Sequence, residues 1–546
     1  MSTIISDQHV RTLPIDRLPF DRSSIVDYIR SDGRSVDVLV VGGGATGLYT
    51  ALESISRGYS TVLLERGDFA SGTSSESTKL VHGGVRYLRQ GRLRLVRESL
   101  RERKFLRQNA PHLVRPLPIA VPAYSRWQKF KNSIGITGYS ALSRGAGFPK
   151  ARFLNPTSFT DAVPGIKADG LRGGMVFADG QTDDARLALA IAKTAAAHGA
   201  AVLNHATVRA IRSNSGHVVG VEAQNNVDGS SLIIDAKVTI NATGVHTDST
   251  ISLGSDTPIG LMRWSRGTHL VMSRTLLNGH HGLLIPETSD GRVVFALPWL
   301  NGTLVGTTDV DVASPDSDPM APDQDVEFLV EELKQYLPEA GTAKILSTFT
   351  GIRPLVSSGS VASTSTIARS HRIFISNSGL VTITGGKWTT ARLMAEQTVS
   401  AAAQVGGLLD SPSRSVDLKL QGARDVATHG VDAATSIVDP DSLYGSELAD
   451  LKELEAQIPE LNALWSDDLP YRLSHAVYAV RKEMALTLED VMARRTRAFF
   501  LNADAATNSA DKVAEAISRY GNVDEVWATR ELAHLPEIAS KFRTFR

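Results

Sequence analysis

The 546-residue chain contains no cysteine. That excludes disulfides, thiolate metal sites, a redox CxxC pair and a cysteinyl link to any cofactor. Charge of one sign is not in excess either: Lys+Arg and Asp+Glu both total 58. No global field therefore draws the chain to nucleic acid or to an anionic surface, and local patches must carry any such preference. No apolar run approaches the roughly 20 residues of a transmembrane helix. The N-terminus, Met1-Ser2-Thr3-Ile4-Ile5-Ser6-Asp7, lacks the basic region and apolar core of a signal peptide. A cytoplasmic protein, or one lying on a membrane from that side, is expected. What is present is ordinary: 42% hydrophobic and 21% charged residues, suited to a sizeable globular core. At about 150 residues per domain, the length allows roughly two to four domains.

The most informative stretch begins at Val36. Val36 to Val41 is an apolar, β-prone run, followed by Gly42-Gly43-Gly44-Ala45-Thr46-Gly47 and a helical segment to about Arg57. Gly58 breaks that helix, Thr61 to Leu64 reads as a second buried strand, and Glu65 stands at its end. This is a βαβ unit with the glycine spacing of a dinucleotide site. Gly42 serves the turn, Gly44 the approach of a pyrophosphate, and Gly47 the packing of helix on strand. The helix N-terminus offers the phosphates its N–H groups, and Glu65 offers the ribose hydroxyls an acceptor. These features alone do not separate FAD from NAD.

The remainder divides by pattern. Residues 1–34 form a polar arm over the domain. A helix from Arg92 to Asn109 puts Leu93, Val96 and Leu100 inward and Arg94, Arg97, Arg101 and Arg103 on a solvated face. From Tyr124 to Arg152, aromatic and basic residues interleave with no acid. That suits a lipid headgroup region or a cap helix equally. Asp183 or Asp184 caps a helix running to Ala197, and a β-meander from Thr207 ends in the strand Val238 to Ala242. An antiparallel sheet is expected from Met262 to Thr308. Ile383-Thr384-Gly385-Gly386-Lys387 makes a second glycine turn into a helix. Beyond a linker at 406–422 the chain reads as helical, including Thr487 to Leu501, with Arg494-Arg495 as charged surface.

Gly72-Thr73-Ser74-Ser75-Glu76-Ser77-Thr78-Lys79-Leu80-Val81-His82-Gly83-Gly84-Val85-Arg86-Tyr87 resembles the flavin-facing segment of the FAD-dependent glycerol-3-phosphate dehydrogenases, within the D-amino-acid-oxidase-like flavoproteins. The likeness continues through Thr182 to Leu187, Asn241 to Gly244, Gly306 to Asp309, Gly351 to Leu355 and Gly385 to Thr390, and into the helical tail. It implies an α/β fold: a Rossmann-like FAD-binding domain, an antiparallel-sheet substrate or cap domain, and a C-terminal helical domain. The oxidoreductase domain would span 35–405, with FAD-binding parts at about 35–113, 172–261 and 346–405. Cap parts would lie at about 114–171 and 262–345, and the helical domain at 406–546.

The resemblance implies one FAD, held without a covalent link. Its expected contacts are Gly42, Gly44, Thr46, Gly47, Glu65, Arg66, Thr73, Ser74, Ser77, Lys79, Leu80, His82, Gly83, Gly84, Val208, Ala242, Thr243, Gly244, Asp309, Gly385, Gly386, Lys387, Trp388 and Thr389. The implied substrate is glycerol 3-phosphate, oxidised to dihydroxyacetone phosphate, with electrons passing to a membrane quinone. Arg86, Arg353, Arg369 and Lys387 would cage the phosphate, with Tyr87 and Thr389 beside them. His269 is the candidate base, and Arg86, Arg353 and Lys387 complete the catalytic set. No metal and no nucleic acid are expected, contact with an anionic membrane surface is, and a homodimer is left open. Two alternatives stay open: an oxygen-using oxidase of glycerol 3-phosphate or an amino acid, and a non-catalytic flavoprotein redox sensor.

Overall fold

The computed structural model describes residues 19–31, 35–85, 91–143, 147–260, 262–315, 320–356, 370–423 and 437–542. Arg86, Tyr87 and Arg369 lie outside these residues, as does most of the N-terminal arm. The elements that frame the site are, in chain order, β1 (Ser35–Val41), α1 (Ala45–Ser56), β2 (Thr61–Leu64), α2 (Leu93–Asn109), β3 (Val114–Pro122), α3 (Arg126–Leu142), β4 (Gly174–Thr182), α4 (Asp184–Ala197), β5 (Ser231–Asn241), β6 (Met262–Ser273), β7 (Gly302–Gly306), β8 (Ile345–Val356), β9 (Val381–Gly385) and α5 (Ala391–Val405).

The first sheet is built on β1, whose Val38, Leu39 and Val40 are fully buried. Such runs belong to parallel strands covered on both faces. β1 pairs in parallel with β2 on one side and β5 on the other, and β5 pairs in parallel with β9. α1 packs against both α4 and α5. The strand ends carrying Val41, Leu64, Asn241 and Gly385 thus open along one edge, where a doubly wound sheet receives its ligand. The expected meander runs through Ala206–Asn214 and His217–Asn225 into β5.

The second sheet is mainly antiparallel. Its spine runs β6, β7, Val294–Trp299, Gly282–Ile285, β3, β4, and β8 pairs along β6 with Arg353 opposite Ser265 and His269 opposite Phe349. The helix Asp323–Lys334 covers it, with Val326, Leu329 and Leu333 sharing a core with Leu270, Met272 and Val305.

Two expectations about arginines are corrected. Leu93 is 45% exposed, whereas Arg103 is 1% exposed. Helical spacing puts Arg103 seven residues from Val96, on the same face, and Asp179 and the Phe148 ring receive it there. Nor is the segment after Thr487 one helix. It is a π-helical turn, Asp490–Arg495, followed by Ala498–Leu501. Arg494 and Arg495 are buried, not surface. Arg494 Nε lies 2.8 Å from Asp68 Oδ2 and Arg495 Nη2 2.8 Å from Asp68 Oδ1, and Arg494 Nη2 reaches Asp490 Oδ1 at 2.6 Å. His205 Nε2 meets the other Asp490 oxygen at 2.9 Å. Asp68, His205 and Asp490 bring their ligand atoms within 4.8 Å, but arginine already neutralises both carboxylates. This cluster is a clamp joining the helical tail to the turn that follows Glu65. Among the described residues no helix is long and apolar enough to cross a membrane.

Candidate active site

A cleft of about 410 Å³ opens at the shared strand edge. Gly42 turns out of β1 with φ +109, a value open to glycine and strained for other residues. A Cβ on Gly47 would collide with the Gly42 carbonyl oxygen. α1 starts at Gly44 with no side-chain cap, so the positive end of its dipole faces the cleft. Glu65 lines the cleft, and its carboxylate accepts from Gly43 N at 2.6 Å and Gly67 N at 2.8 Å. Burial pushes its pKa up, opposed by those two N–H groups. Gly385, Gly386, Lys387 and Trp388 form the far wall. The Trp388 indole N–H donates to Ser74 O at 2.7 Å, and Ser74 Oγ accepts from Ala45 N at 2.9 Å. A helix N-terminus whose N-cap is a glycine, a strand-end carboxylate and two glycine turns fit FAD. Arg66, Thr73, Val208, Ala242, Thr243 and Gly244 also line this cleft.

A second cavity of about 440 Å³ lies between α3 and the second sheet, lined by His82, Gly84, Lys131, Ile136, Asp179, Arg292, Asp309 and Arg353 among others. Arg353 lines this chamber and its neighbour Pro354 lines the cleft, so the two cavities meet across β8. Arg353 Nη2 donates to Thr307 Oγ1 at 3.0 Å and Nη1 to Thr308 O at 3.3 Å, with the Asp309 carboxylate 3.9 Å away. Arg292 is held by Asp290, its Nε 2.6 Å from Oδ2.

Several expected contacts fall elsewhere. His269, the candidate base, is 1% exposed and lines neither cavity. It sits behind Thr78, 2.9 Å from that hydroxyl, and stacks on Phe349 at 4.8 Å. Burial, then the Arg353 and Lys79 charges, hold its pKa well below the usual imidazole range, so it is neutral. Lys79 is fully buried, with Nζ on Asp184 at 2.8 Å and on Ser75 O at 2.6 Å, and Ser77 Oγ meets the same Asp184 oxygen at 2.6 Å. Those two side chains brace the segment from beneath and line neither cavity. Leu80 packs in the core. His82, Gly84 and Asp309 line the chamber, whereas Lys387 lines the cleft. Thr389 is buried, accepting from His82 N at 3.1 Å.

Residues 37–400 match the family described as FAD dependent oxidoreductase, and residues 413–526 match the C-terminal domain of alpha-glycerophosphate oxidase. The chain is 37% identical over 560 residues to the mitochondrial glycerol-3-phosphate dehydrogenase of Rattus norvegicus, covering 97% of this chain and 76% of the relative. The chain belongs to the FAD-dependent glycerol-3-phosphate dehydrogenases. A plant relative, from Arabidopsis thaliana mitochondria, is 35% identical, covering 96% of this chain and 88% of its own length. The crystal structure of the Bacillus halodurans glycerol-3-phosphate dehydrogenase complexed with FAD superposes with a TM-score of 0.75 at 28% identity, covering 95% of this chain and 97% of that one.

In this chain no motif announces the chamber wall that α3 supplies. Gln128, Lys131, Asn132, Gly135 and Ile136 line it, a helical spacing visible in the sequence once a face is sought. Arg292 and Asp179 carry no such signal, since each reaches the chamber from a segment no motif marks.

Proposed function

We propose that the chain oxidises sn-glycerol 3-phosphate to dihydroxyacetone phosphate and passes the electrons to a membrane quinone. The observation that carries this is the meeting of the two cavities at Arg353 and Pro354, one suited to a dinucleotide and the other bringing Lys131, Arg292 and Arg353 together beside the acids Asp179, Glu287 and Asp309. FAD, held by the glycine turn, Glu65 and the Gly385–Trp388 wall, supplies the hydride acceptor. The chain does the rest. Arg353, braced by Thr307 and Thr308, presents its guanidinium to the phosphate. Arg292 and Lys131 add positive charge from the same chamber. His82 lines that chamber and is the imidazole placed to take the hydroxyl proton. His269 instead supports Thr78 from behind. Arg86 and Arg369, outside the described residues, remain part of the proposed phosphate cage, and Lys387 serves it from the cofactor side.

The outer face of α3 supports a membrane-bound acceptor. Trp127, Phe130 and Ile134 are 67%, 58% and 59% exposed, beside Arg126 and Lys129. Such a face suits the inner surface of a plasma membrane, with a peripheral protein presenting its chamber to the lipid side. The division into a 35–405 oxidoreductase domain and a 406–546 helical domain belongs to the same proposal. Anaerobic bleaching of the yellow protein tests the reading, with glycerol 3-phosphate, glycerol and an amino-acid panel. Bleaching by glycerol 3-phosphate alone is expected, and bleaching by an amino acid alone would overturn it. Release of hydrogen peroxide in place of quinone reduction would move the assignment to an oxidase.

A further inference from the structure

α3 has two faces, and the inner one does more than line the chamber. Gln128, Asn132, Gly135 and Ile136 lie along it, and Tyr139 continues it at the next helical step. Tyr139 is 1% exposed, with its ring edge-on to Phe177 at 5.7 Å. Its oxygen is 2.7 Å from Gly83 N and 2.8 and 2.9 Å from the two oxygens of Asp179. The direction of each bond is fixed: an amide N–H can only donate, so Tyr139 accepts from Gly83 and gives its own proton to Asp179. Asp179 is in turn paired with Arg103, whose Nη1 also reaches Ala178 O at 3.1 Å and whose Nη2 donates to Ser143 Oγ at the end of α3.

Three polar side chains, Arg103, Tyr139 and Asp179, are thus withdrawn from water, at 1%, 1% and 3% exposure. Such a cluster is tolerable only when every member is paired. Among the described residues, its tie to the His82-Gly83-Gly84 turn is Gly83, flanked by His82 and Gly84, both of which line the chamber. There is no slack at that point, since a Cβ on Gly83 would meet the Leu100 side chain and the Tyr139 oxygen.

We propose that Tyr139 is a positioning residue, holding the His82-Gly83-Gly84 turn so that the seat of α3 sets the place of His82 in the chamber. The relay rests on the reading of that chamber as the substrate site. It makes the helix with the exposed apolar outer face the same helix that aims the imidazole.

The test is Tyr139→Phe in the FAD-loaded full chain, which removes one oxygen and keeps the ring packing. Hydrogen–deuterium exchange of the peptide spanning Leu80 to Val85 is expected to rise by about tenfold or more at Gly83, matching the loss of one buried hydrogen bond. Anaerobic flavin reduction by glycerol 3-phosphate should slow by about tenfold with KM changed less than kcat. In a His82→Gln background the same substitution should cost little more, because the relay acts through His82. Unchanged exchange at Gly83, or an equal loss with and without His82, would overturn the assignment. Should Tyr139→Phe not fold, Asp179→Asn takes the same measurements, keeping an acceptor for the hydroxyl while losing the ionic pull of Arg103. Wild-type flavin that glycerol 3-phosphate does not bleach would defeat the functional reading, while exchange at Gly83 would still decide the role of Tyr139.

Discussion

The cleft at the parallel-strand edge and the chamber beneath α3 lie on either side of one strand, yet they are made in opposite ways. The cleft is built mainly from backbone, a glycine turn, a helix N-terminus and a second glycine turn, joined by the Glu65 carboxylate. The chamber is built from side chains that arrive from α3, β4, the turn before Val294, and β8. Backbone sites impose steric demands that few residues meet, so they leave a local signature. Side-chain sites need a cation or an imidazole at a point in space, and almost any segment can deliver it.

The largest effect that would sharpen this contrast is at Gly47. Its Cβ would collide with the Gly42 carbonyl oxygen, whereas a Cβ on Gly44 would meet only Ser74 Oγ at 3.1 Å. Gly47→Ala is therefore expected to yield colourless protein, and Gly44→Ala a chain that still binds FAD, weakly. Flavin absorbance per chain measures both. Flavin retained in Gly47→Ala would mean the cleft is more forgiving than its geometry implies.

That asymmetry also describes what the sequence reveals. The βαβ unit, the returning strand β5, Glu65 and the Gly385–Gly386 turn are readable because each is fixed by local chemistry or resemblance. The depth of His269 is not readable, because residue type and a cap-strand position do not disclose it, and the stack on Phe349 comes from a strand far along the chain. Arg103, Arg494 and Arg495 mislead for a related reason. Arginine favours the surface by type, and only the fold supplies the buried Asp179 and Asp68 that pay for its burial.

Next in size is the clamp behind the cleft. Asp68→Ala leaves Arg494 and Arg495 buried without their shared carboxylate, and breaking a buried pair costs about 3–5 kcal/mol. A fall in unfolding free energy of that order, read as a lower urea midpoint, is expected, with flavin affinity falling too because Asp68 follows Glu65 by three residues. An unchanged midpoint would remove the clamp from the account.

Smaller, because its side chain keeps some contact with solvent, is the pH response of Glu76. Burial, with Asp184 adding to it and Lys79 opposing, pushes its carboxyl from 4.5 up to about 8. Between those values the native chain keeps a proton that the unfolded chain has released. Its contribution to stability is therefore full below the lower value and is lost as pH rises through the upper one. Glu76→Gln should flatten the stability curve across that window, measured as urea midpoint against pH. A curve as steep as the wild type's would exclude Glu76 as the source.

The smallest expected effect concerns the outer face of α3. Each basic residue near an anionic surface is worth on the order of 1 kcal/mol. Arg126→Glu with Lys129→Glu should weaken pelleting with anionic liposomes and slow quinone reduction, leaving turnover with a soluble dye intact. Lys131 is left alone because it lines the chamber. Unchanged pelleting would return this face to a cap with no lipid role.

In the proposed function the chamber reads the phosphate while the cleft holds the cofactor, and Arg353 is where they meet. Arg353→Met, prepared replete with FAD, should lose about one to two decades in kcat/KM for glycerol 3-phosphate, the worth of one charged hydrogen bond at roughly 1.5–3 kcal/mol. The rate with glycerol, which lacks the phosphate and is expected to be poor, should barely move. Steady-state kinetics on both substrates gives the ratio directly. A collapse of the preference for the phosphorylated substrate is the predicted result. Equal losses on glycerol 3-phosphate and glycerol would show that Arg353 serves the flavin or the fold, and the account of the chamber would be wrong.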